Sequence, residues 1–568
     1  MEEDVELVDI PSDSDSIDDL CVSDIDDDFN IRNKRNEATK QISSAIFDEE
    51  DSADDVSDSD EKWVKSGKRK RDAPFTRNVG PNIPDNVKTP SEIFLCLFSD
   101  DLLDLIVQET NRYLQQKGYK QPPTTKEELL IFLGINILMG VKNSPSYQDY
   151  WSANPQLNDP YISSLMSVVR FRFFLGCLHI TDNSTEPKKG NAAYDKLYKL
   201  RPFLDKVNEN LKKNFMSNKY QSVDESMIKC KGRSSMKQYM PLKPIKRGYK
   251  CWVLADPSGY VCEFQMYTGK TESTEKQFGA RVVKDLTREL KGNNHHVYFD
   301  NFFTGVDLMI SLKKDKIFAC GTVRQNRSRL PKSEVQDKQM KHGDSEFRTS
   351  NTGIRWVKWM DKKAVYFLSN YHDPRETAPV NRKQKDGTLK PTSCPVMAFD
   401  YNKHMGYVDK ADHFLSTYNI DRKSKKWWHR IFFHFLYVIV VNAYILYKEK
   451  RLNPTLTSKE FRLRLVDELV GHKLPSSTGK KRKLSTISSY KPKVSKKKEK
   501  VNQLICLKLS LHLDAALIAV LKPTKSEHHG CVKLAMYHSA CFPQEIASLL
   551  TTAENKIQLS KARHIKTL

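Results

Sequence analysis

Two acidic residues lie in apolar, strand-like stretches of the sequence, where a charge is costly. Asp300 occurs in VYFDNFF (297–303), and Asp224 occurs in SVDESMIKC (222–230). Burying an unpaired carboxylate is so unfavourable that such a group usually protonates or meets a cation. Each acid must therefore either reach solvent at the end of its strand or have a positively charged partner.

Two further acids belong to the same chemistry. Asp409 and Asp412 occur in YNKHMGYVDKADHF (401–414), three residues apart and on one face of a helix if a helix has begun. Two strand carboxylates and one helix carboxylate would suit two Mg²⁺ ions, which take oxygen ligands and bridge substrate phosphates. Without a cation they would repel one another, and at least one pKa would rise. The chain has 71 acidic residues, so this pattern alone is a weak signal.

The elements that must position these acids predict an α/β fold. Apolar periodicity and helix-start signals predict that residues 89–215 are mostly helical. A strand, a hairpin, a helix, a strand, a helix and a strand then follow between residues 219 and 324. Residues 325–390 break this order with a charged loop and short strands, which predicts a β-rich insertion. Helices are predicted again at 405–420, 426–449 and 458–471.

Charge is distributed very unevenly along the chain. The net charge is +22, yet residues 1–61 contain 23 acidic and 4 basic side chains, which leaves a net charge of +41 on the remainder. An acidic N-terminal segment followed by a strongly basic remainder indicates a polyanionic partner, and nucleic acid is the first candidate. The alternative is a soluble basic protein without such a partner. Residues 1–88 are rich in Asp and Ser and are predicted to be disordered.

Targeting signals are also present. The basic runs KSGKRKRD (65–72) and GKKRKLS to KPKVSKKKEK (479–500) predict nuclear import, the alternative being solvated linker charge.

Eleven cysteines without a Cys-x-x-Cys pair indicate a reduced intracellular protein, and the acidic N-terminus is not a signal peptide. The apolar stretch 431–447 carries His434 and Asn442, which favours a buried helix over a membrane span.

Several motifs resemble, in order, those of the piggyBac transposase family. Together they cover about residues 89–470, and they are VDESM (223–227), KQYMPLKPIKRGYK (237–250), YFDNFFTG (298–305), GTVRQNR (321–327), YNKHMGYVDKADH (401–413) and KWWHRIFFHFLYVIVVNAYILY (426–447).

The resemblance implies an RNase H-like catalytic core at 219–324 and 391–415, interrupted by the β-rich insertion at 325–390. Helical DNA-binding and dimerisation segments at 89–218 and 416–475 would flank this core, followed by a basic tail at 476–568. The implied activity is cut-and-paste transposition at TTAA targets with two Mg²⁺ ions, Mn²⁺ being a possible substitute. The implied partners are double-stranded DNA, including terminal repeats, and a second copy of the chain. The family's catalytic aspartates correspond to Asp224, Asp300 and Asp409, and a further metal-binding aspartate corresponds to Asp412.

Two departures from the family pattern matter. The family commonly has Gly-Gly-Val-Asp at the third acid, where this chain has Gly406-Tyr407-Val408-Asp409. Autonomous members end in a Cys/His-rich zinc domain, whereas the last ninety residues here contain Cys506, Cys531 and Cys541 in no standard finger spacing. We therefore expect no structural zinc. The alternative function is a domesticated nuclear DNA-binding or chromatin protein that does not cleave DNA.

Basic residues close to these motifs are predicted DNA contacts, because phosphate contacts supply most of the affinity for DNA. Two neighbouring tryptophans could stack on a flipped or distorted base. The alternative is that the cations are solvated surface charge and the tryptophans belong to the core. The predicted DNA-binding set is Lys243, Lys246, Arg247, Lys250, Arg324, Arg327, Arg422, Lys425, Lys426, Trp427 and Trp428.

Overall fold

Amphipathic and apolar segments of the chain form its helices. The computed structural model describes residues 61–65, 73–241, 243–269, 277–383, 387–419, 424 and 426–471. Its α-helices are α1 (Pro90–Leu97), α2 (Asp100–Gln116), α3 (Lys126–Val141), α4 (Pro160–Leu165), α5 (Val168–Cys177), α6 (Arg201–Asn214), α7 (Phe278–Leu286), α8 (Val306–Lys314), α9 (Val396–His404), α10 (Tyr407–Thr417), α11 (Trp427–Glu449) and α12 (Ser458–Leu469). Six of them precede residue 215, which confirms the predicted helical first part.

The strands are mostly short, and their bounds in chain order are as follows. They are β1 (Trp63–Val64), β2 (Gly80–Pro81), β3 (Phe215–Met216), β4 (Tyr220–Lys229), β5 (Lys237–Tyr239), β6 (Arg247–Ala255), β7 (Val261–Met266), β8 (His296–Phe299), β9 (Phe318–Thr322), β10 (Ser345–Ser350), β11 (Arg355–Met360), β12 (Ala364–Ser369), β13 (Thr377–Lys383) and β14 (Leu389–Pro395).

The centre of the fold is a mixed sheet with the strand order of an RNase H-like core. Strand β6 pairs antiparallel with both β4 and β7, while β8 pairs parallel with both β4 and β9. Helix α7 connects β7 to β8, and α8 connects β8 to β9. The resulting order β7-β6-β4-β8-β9 places two parallel strands beside an antiparallel trio. The predicted α/β fold class is therefore confirmed.

The predicted β-rich insertion does supply strands, and most of them extend the central sheet. Strand β12 pairs antiparallel with β9, and β11 and β10 continue the sheet outward. Strands β13 and β14 form a separate antiparallel hairpin. Sequence periodicity predicted short strands here but could not indicate that three of them join the sheet of the core.

Part of the stretch predicted to be disordered is structured. Strand β1 pairs with β10 at the edge of the central sheet, and β2 pairs with β3. The indole nitrogen of Trp63 donates to the carbonyl oxygen of Arg329 at 3.0 Å, and Glu61 forms an ion pair of 2.8 Å with Arg329. The prediction that residues 1–88 are disordered is therefore wrong for residues 61–65 and 73–88, which take part in the fold.

Helix α11 contains the apolar stretch noted in the sequence. It is the one described helix whose length and composition would allow it to cross a membrane, and 78% of its most apolar window is buried inside the fold. Asn442 Oδ1 accepts from the Val261 amide at 3.0 Å, and Asn442 Nδ2 donates to the Val261 carbonyl at 2.9 Å. Burial lowers the pKa of His434 to about 4. The polar residues of this helix are therefore accommodated by the fold around it.

Gly321 on β9 lies tightly against the turn that follows β8. A Cβ at this position would lie 2.6 Å from the carbonyl oxygen of Phe299 and would also overlap Thr304 Oγ1. We expect Gly321→Ala to lower the free energy of unfolding by about 1–3 kcal/mol, because the backbone must shift to make room. Urea denaturation measures this change. Gly305→Ala is the control, since nothing lies within 4 Å of a Cβ there; equal losses in both variants would contradict the prediction.

Candidate active site

Parallel pairing of β4 and β8 brings the first two predicted acids together. Val223 on β4 lies opposite Phe299 on β8, so the next residues in register are Asp224 and Asp300. Strand β8 ends at Phe299, whereas β4 continues to Lys229. Asp300 therefore emerges at the carboxyl end of its strand beside Asp224, where the sequence analysis required it to find solvent or a cation.

The turn after β8 holds Asp300 by several hydrogen bonds. Asp300 Oδ1 accepts from the Phe302 amide at 2.9 Å, and the Asp300 carbonyl accepts from Thr304 Oγ1 at 2.8 Å. Arg327 donates to the carbonyl oxygens of Asn301, Phe302 and Thr304 at 3.2, 2.7 and 3.1 Å. Arg327 was predicted as a DNA contact, and in this structure its guanidinium braces the turn that presents Asp300.

A third carboxylate, which the sequence pattern did not predict, completes the cluster. Among the described residues, oxygen atoms of Asp224, Glu225 and Asp300 all lie within 4.8 Å of one another. Neighbouring residues of a strand normally face opposite sides of the sheet, so alternation gave no reason to group Glu225 with Asp224. The available signal was its place beside Asp224 in the VDESM motif. We call Asp224, Glu225 and Asp300 the acid cluster.

Lys243 provides the positive charge that meets these acids. Its Nζ lies 3.5 Å from Asp224 Oδ2 and 3.2 Å from Glu225 Oε1, and it donates to the Glu225 carbonyl oxygen at 3.3 Å. Burial lowers the pKa of Lys243, but the charges of Asp224 and Glu225 outweigh burial and raise it overall. Lys243 was predicted to contact DNA, and here it is an ion-pair partner of the acid cluster.

Burial and mutual repulsion both act on the acid cluster. Burial, followed by the charges of Glu225 and Asp300, raises the pKa of Asp224 to about 8 against the opposing effect of Lys243. Burial and then the charge of Glu225 raise the pKa of Asp300, while Lys250 and Lys243 oppose that rise. One lysine therefore does not neutralise the cluster, and the three oxygen donors form a set that a hard divalent cation would fit.

The remaining two predicted acids lie on α10, which packs against β4 and β6. Asp412 Oδ1 accepts from Ser226 Oγ at 2.6 Å, and burial raises the pKa of Asp412 to about 6 in spite of that bond. Asp409 is exposed in the first turn of α10 and lies outside the 4.8 Å group of the described residues. Its charge nevertheless contributes to the raised pKa of Lys243. The helix thus brings both acids close enough to Lys243 for their charges to interact with it.

Lys250 and Arg324, two of the predicted DNA-binding cations, contact residues of the turn that follows Asp300. Lys246 and Arg247 are exposed at the start of β6. Lys250 Nζ lies 4.8 Å from the ring centroid of Phe302, and Arg324 Nε donates to Asn301 Oδ1 at 3.3 Å. Arg422 and Lys425 lie outside the described residues, as does the cysteine-containing tail.

The two tryptophans predicted to stack on a base are buried. Trp427 and Trp428 are 7% and 4% exposed. Trp427 faces Tyr249 with ring centroids 6.3 Å apart, and Trp428 faces Phe432 at 6.3 Å. Lys426 donates to the carbonyl oxygen of Gly176 at the end of α5. This geometry favours the alternative that the tryptophans belong to the core, since neither ring is presented to a ligand.

Comparisons with known proteins identify the family of the chain. The family model described as Transposase IS4 matches residues 89–444. The chain is 32% identical over 406 residues to human PiggyBac transposable element-derived protein 3, covering 70% of this chain and 67% of that protein. It is 28% identical to human PiggyBac transposable element-derived protein 2, covering 63% of this chain and 62% of that protein. A piggyBac transposase solved in a synaptic complex with hairpin DNA matches with a TM-score of 0.60 and 24% identity, over 71% of this chain and 86% of that one. Because the family model spans well over half of the sequence, the chain belongs to the piggyBac-type transposase family.

Proposed function

We propose that this chain binds double-stranded DNA and uses divalent cations to cleave and join phosphodiester bonds at TTAA targets. The observation that carries the proposal is the acid cluster, whose three carboxylates lie within 4.8 Å at the end of β8. Two metal ions held by these acids would stabilise the negative charge that develops when a phosphodiester bond is displaced. Mg²⁺ is the proposed ion, with Mn²⁺ as a substitute.

The chain's own residues have distinct roles in this proposal. Asp224, Glu225 and Asp300 would hold the cations, with Asp409 approaching from α10. A bound divalent ion supplies positive charge for the phosphate and lowers the pKa of a coordinated water. Asp412, predicted as a further metal ligand, accepts a hydrogen bond from Ser226 and would in this proposal position α10 against β4.

Several exposed basic side chains would bind the DNA backbone. Lys246 and Arg247 are exposed at the start of β6, and Arg324 adjoins the Asp300 turn. Phosphate contacts of this kind position a nucleic acid without reading its sequence. A solved relative in complex with hairpin DNA supports DNA as the partner class.

The proposal extends to assembly and location. The resemblance to the family favours a homodimer that engages terminal repeats. The basic runs at 65–72 and 479–500 favour import into the nucleus.

Loss of one clustered acid should abolish cleavage. We expect Asp300→Asn to reduce Mg²⁺-dependent nicking of TTAA-flanked DNA by a factor on the order of 100 or more, because one ligand charge is lost. Gel assays of the full chain with Mg²⁺, Mn²⁺ or EDTA measure this. Asp285→Asn is the control, since Asp285 pairs with Arg281 on α7 and lies outside the cluster.

Equal nicking by wild type and Asp300→Asn would refute the proposed mechanism. Specific DNA binding without nicking under any divalent ion, in wild type and variants alike, would instead favour the non-cleaving chromatin protein.

Stability should depend on pH in a defined direction. The pKa values of about 8 for Asp224 and about 6 for Asp412 lie above the ordinary 3.8, so the folded chain binds protons more tightly than the unfolded chain. Without divalent ions, the melting temperature should therefore fall between about pH 6.5 and about pH 8, where Asp224 loses its proton in the folded chain. Below that range His434, whose pKa burial lowers to about 4, acts in the opposite direction. Added Mg²⁺ should raise it more at pH 8 than at pH 5.

Thermal melts of the full chain in EDTA and in Mg²⁺ measure this effect. Asp224→Asn should flatten the pH profile between pH 6 and pH 8 and reduce the Mg²⁺ response. An unchanged profile in that variant would show that Asp224 does not carry the effect.

DNA affinity should depend on individual phosphate contacts. We expect Lys246→Ala to weaken binding to all sequences and to lower the slope of log affinity against log salt by about 1. Lys284→Ala, which removes an exposed lysine from α7, is the matched control. Fluorescence anisotropy over a salt series measures both variants, and identical slopes would remove Lys246 from the interface.

A further inference from the structure

The connection between β5 and β6 delivers a lysine to the acid cluster from outside the strands that carry it. The Met240 amide donates to the Lys246 carbonyl at 2.8 Å, which closes this connection. Pro241 and Pro244 lie on either side of Lys243 along the chain, and each fixes its own backbone φ angle. A restrained backbone therefore presents the Lys243 side chain, which is one reason to regard its position as built into the fold.

Among the residues that the structure describes, the short polar contacts of the Lys243 ammonium go to two neighbouring residues of β4. They are the carboxylates of Asp224 and Glu225 at 3.5 and 3.2 Å, and the Glu225 carbonyl at 3.3 Å. The three side chains are 23%, 14% and 11% exposed, in the order Lys243, Asp224, Glu225. Water therefore screens these charges only partly, and the interaction is stronger than a surface ion pair.

A divalent cation bound by the acid cluster would need the same carboxylate oxygens. Hard cations coordinate oxygen at about 2.0–2.6 Å, closer than an ammonium group approaches. An ammonium that stayed beside such an ion would oppose a second positive charge at short range in a poorly screened site. Occupation by lysine and occupation by a divalent ion are therefore mutually exclusive, or nearly so.

We infer that Lys243 is the resident counter-ion of the acid cluster, holding the place of a divalent cation and competing with it for Asp224 and Glu225. This inference rests on the proposed metal-dependent function. The inference also implies a sequence of events at the site: Lys243 leaves the two acids first, and only then can it contact a DNA phosphate. The flexible lysine stem allows that movement, whereas the carboxylates remain fixed by β4 and the Asp300 turn.

Metal affinity measured without DNA tests the inference. Mn²⁺ is titrated into the metal-free full chain, and free Mn²⁺ is followed by electron paramagnetic resonance. We expect Lys243→Met to bind Mn²⁺ about ten-fold more tightly than wild type, the effect of removing one charge-assisted competitor. Lys243→Arg keeps the positive charge and should not show this gain. Lys246→Met removes an exposed lysine of the same connection and should bind Mn²⁺ as wild type does.

Stability provides a second readout that separates competition from a structural role. In EDTA, Lys243→Met should melt at a lower temperature than wild type, because two partly buried carboxylates lose their counter-ion. Saturating Mn²⁺ should reverse most of that decrease in melting temperature. If Lys243 had only a structural role, Lys243→Met would lower the melting temperature equally with and without Mn²⁺, and it would not tighten Mn²⁺ binding.

The outcomes distinguish this inference from the proposed function. Unchanged or weaker Mn²⁺ binding by Lys243→Met, with binding still abolished by Asp300→Asn, overturns the role of Lys243 alone. Absence of Mn²⁺ binding in every variant, or binding that Asp300→Asn does not affect, overturns the metal-dependent function on which the inference rests.

Discussion

Repulsion among clustered carboxylates is the constraint on which the rest of the site depends. Three acids whose oxygens lie within 4.8 Å must share positive charge or retain a proton, and burial together with their mutual repulsion raises the pKa values of Asp224 and Asp300. The acids stay close together in spite of their repulsion because strand pairing and turn hydrogen bonds hold their backbones in place. Parallel pairing of β4 with β8 sets the register, and the Asp300 turn is braced by Arg327. The same concentrated negative charge that lowers the stability of the folded chain also attracts cations to the site.

The sheet that imposes this register is stabilised well beyond the site. Helix α11 carries Asn442, whose side chain bonds both backbone polar groups of Val261 on the outer strand β7. Phe435 from the same helix stacks on Phe264 of β7 with ring centroids 3.9 Å apart. An amide within an apolar helix thus replaces part of a missing neighbouring strand, which satisfies backbone groups that would otherwise be buried without partners. At the other end of the sheet, β12, β11 and β10 extend it past β9.

Much of the fold could be predicted from local sequence, because caps and periodicity are local signals. The helix-start signals of residues 89–215 and the strand-like run before Asp300 are examples. Features that depend on distant contacts could not be predicted in this way. Burial of Trp427 and Trp428, and the joining of the insertion strands to the central sheet, depend on tertiary packing. Glu225 was missed because alternation assigns neighbouring residues of a strand to opposite faces, whereas beyond the end of β8 the carboxylates of both Asp224 and Glu225 come close to Asp300.

The same reasoning separates the roles of basic residues that sequence treats alike. Lys243, Lys246 and Arg327 were all grouped as DNA contacts, since each is a cation near an acidic motif. In the folded chain Lys243 pairs with two acids, Arg327 binds three carbonyl oxygens, and Lys246 is exposed. Removal of each should therefore affect a different quantity, namely cation affinity for Lys243, the position of Asp300 for Arg327, and salt-dependent DNA affinity for Lys246. Charge alone does not assign a function to a lysine or an arginine, because what its nitrogen atoms already contact decides what remains for a ligand.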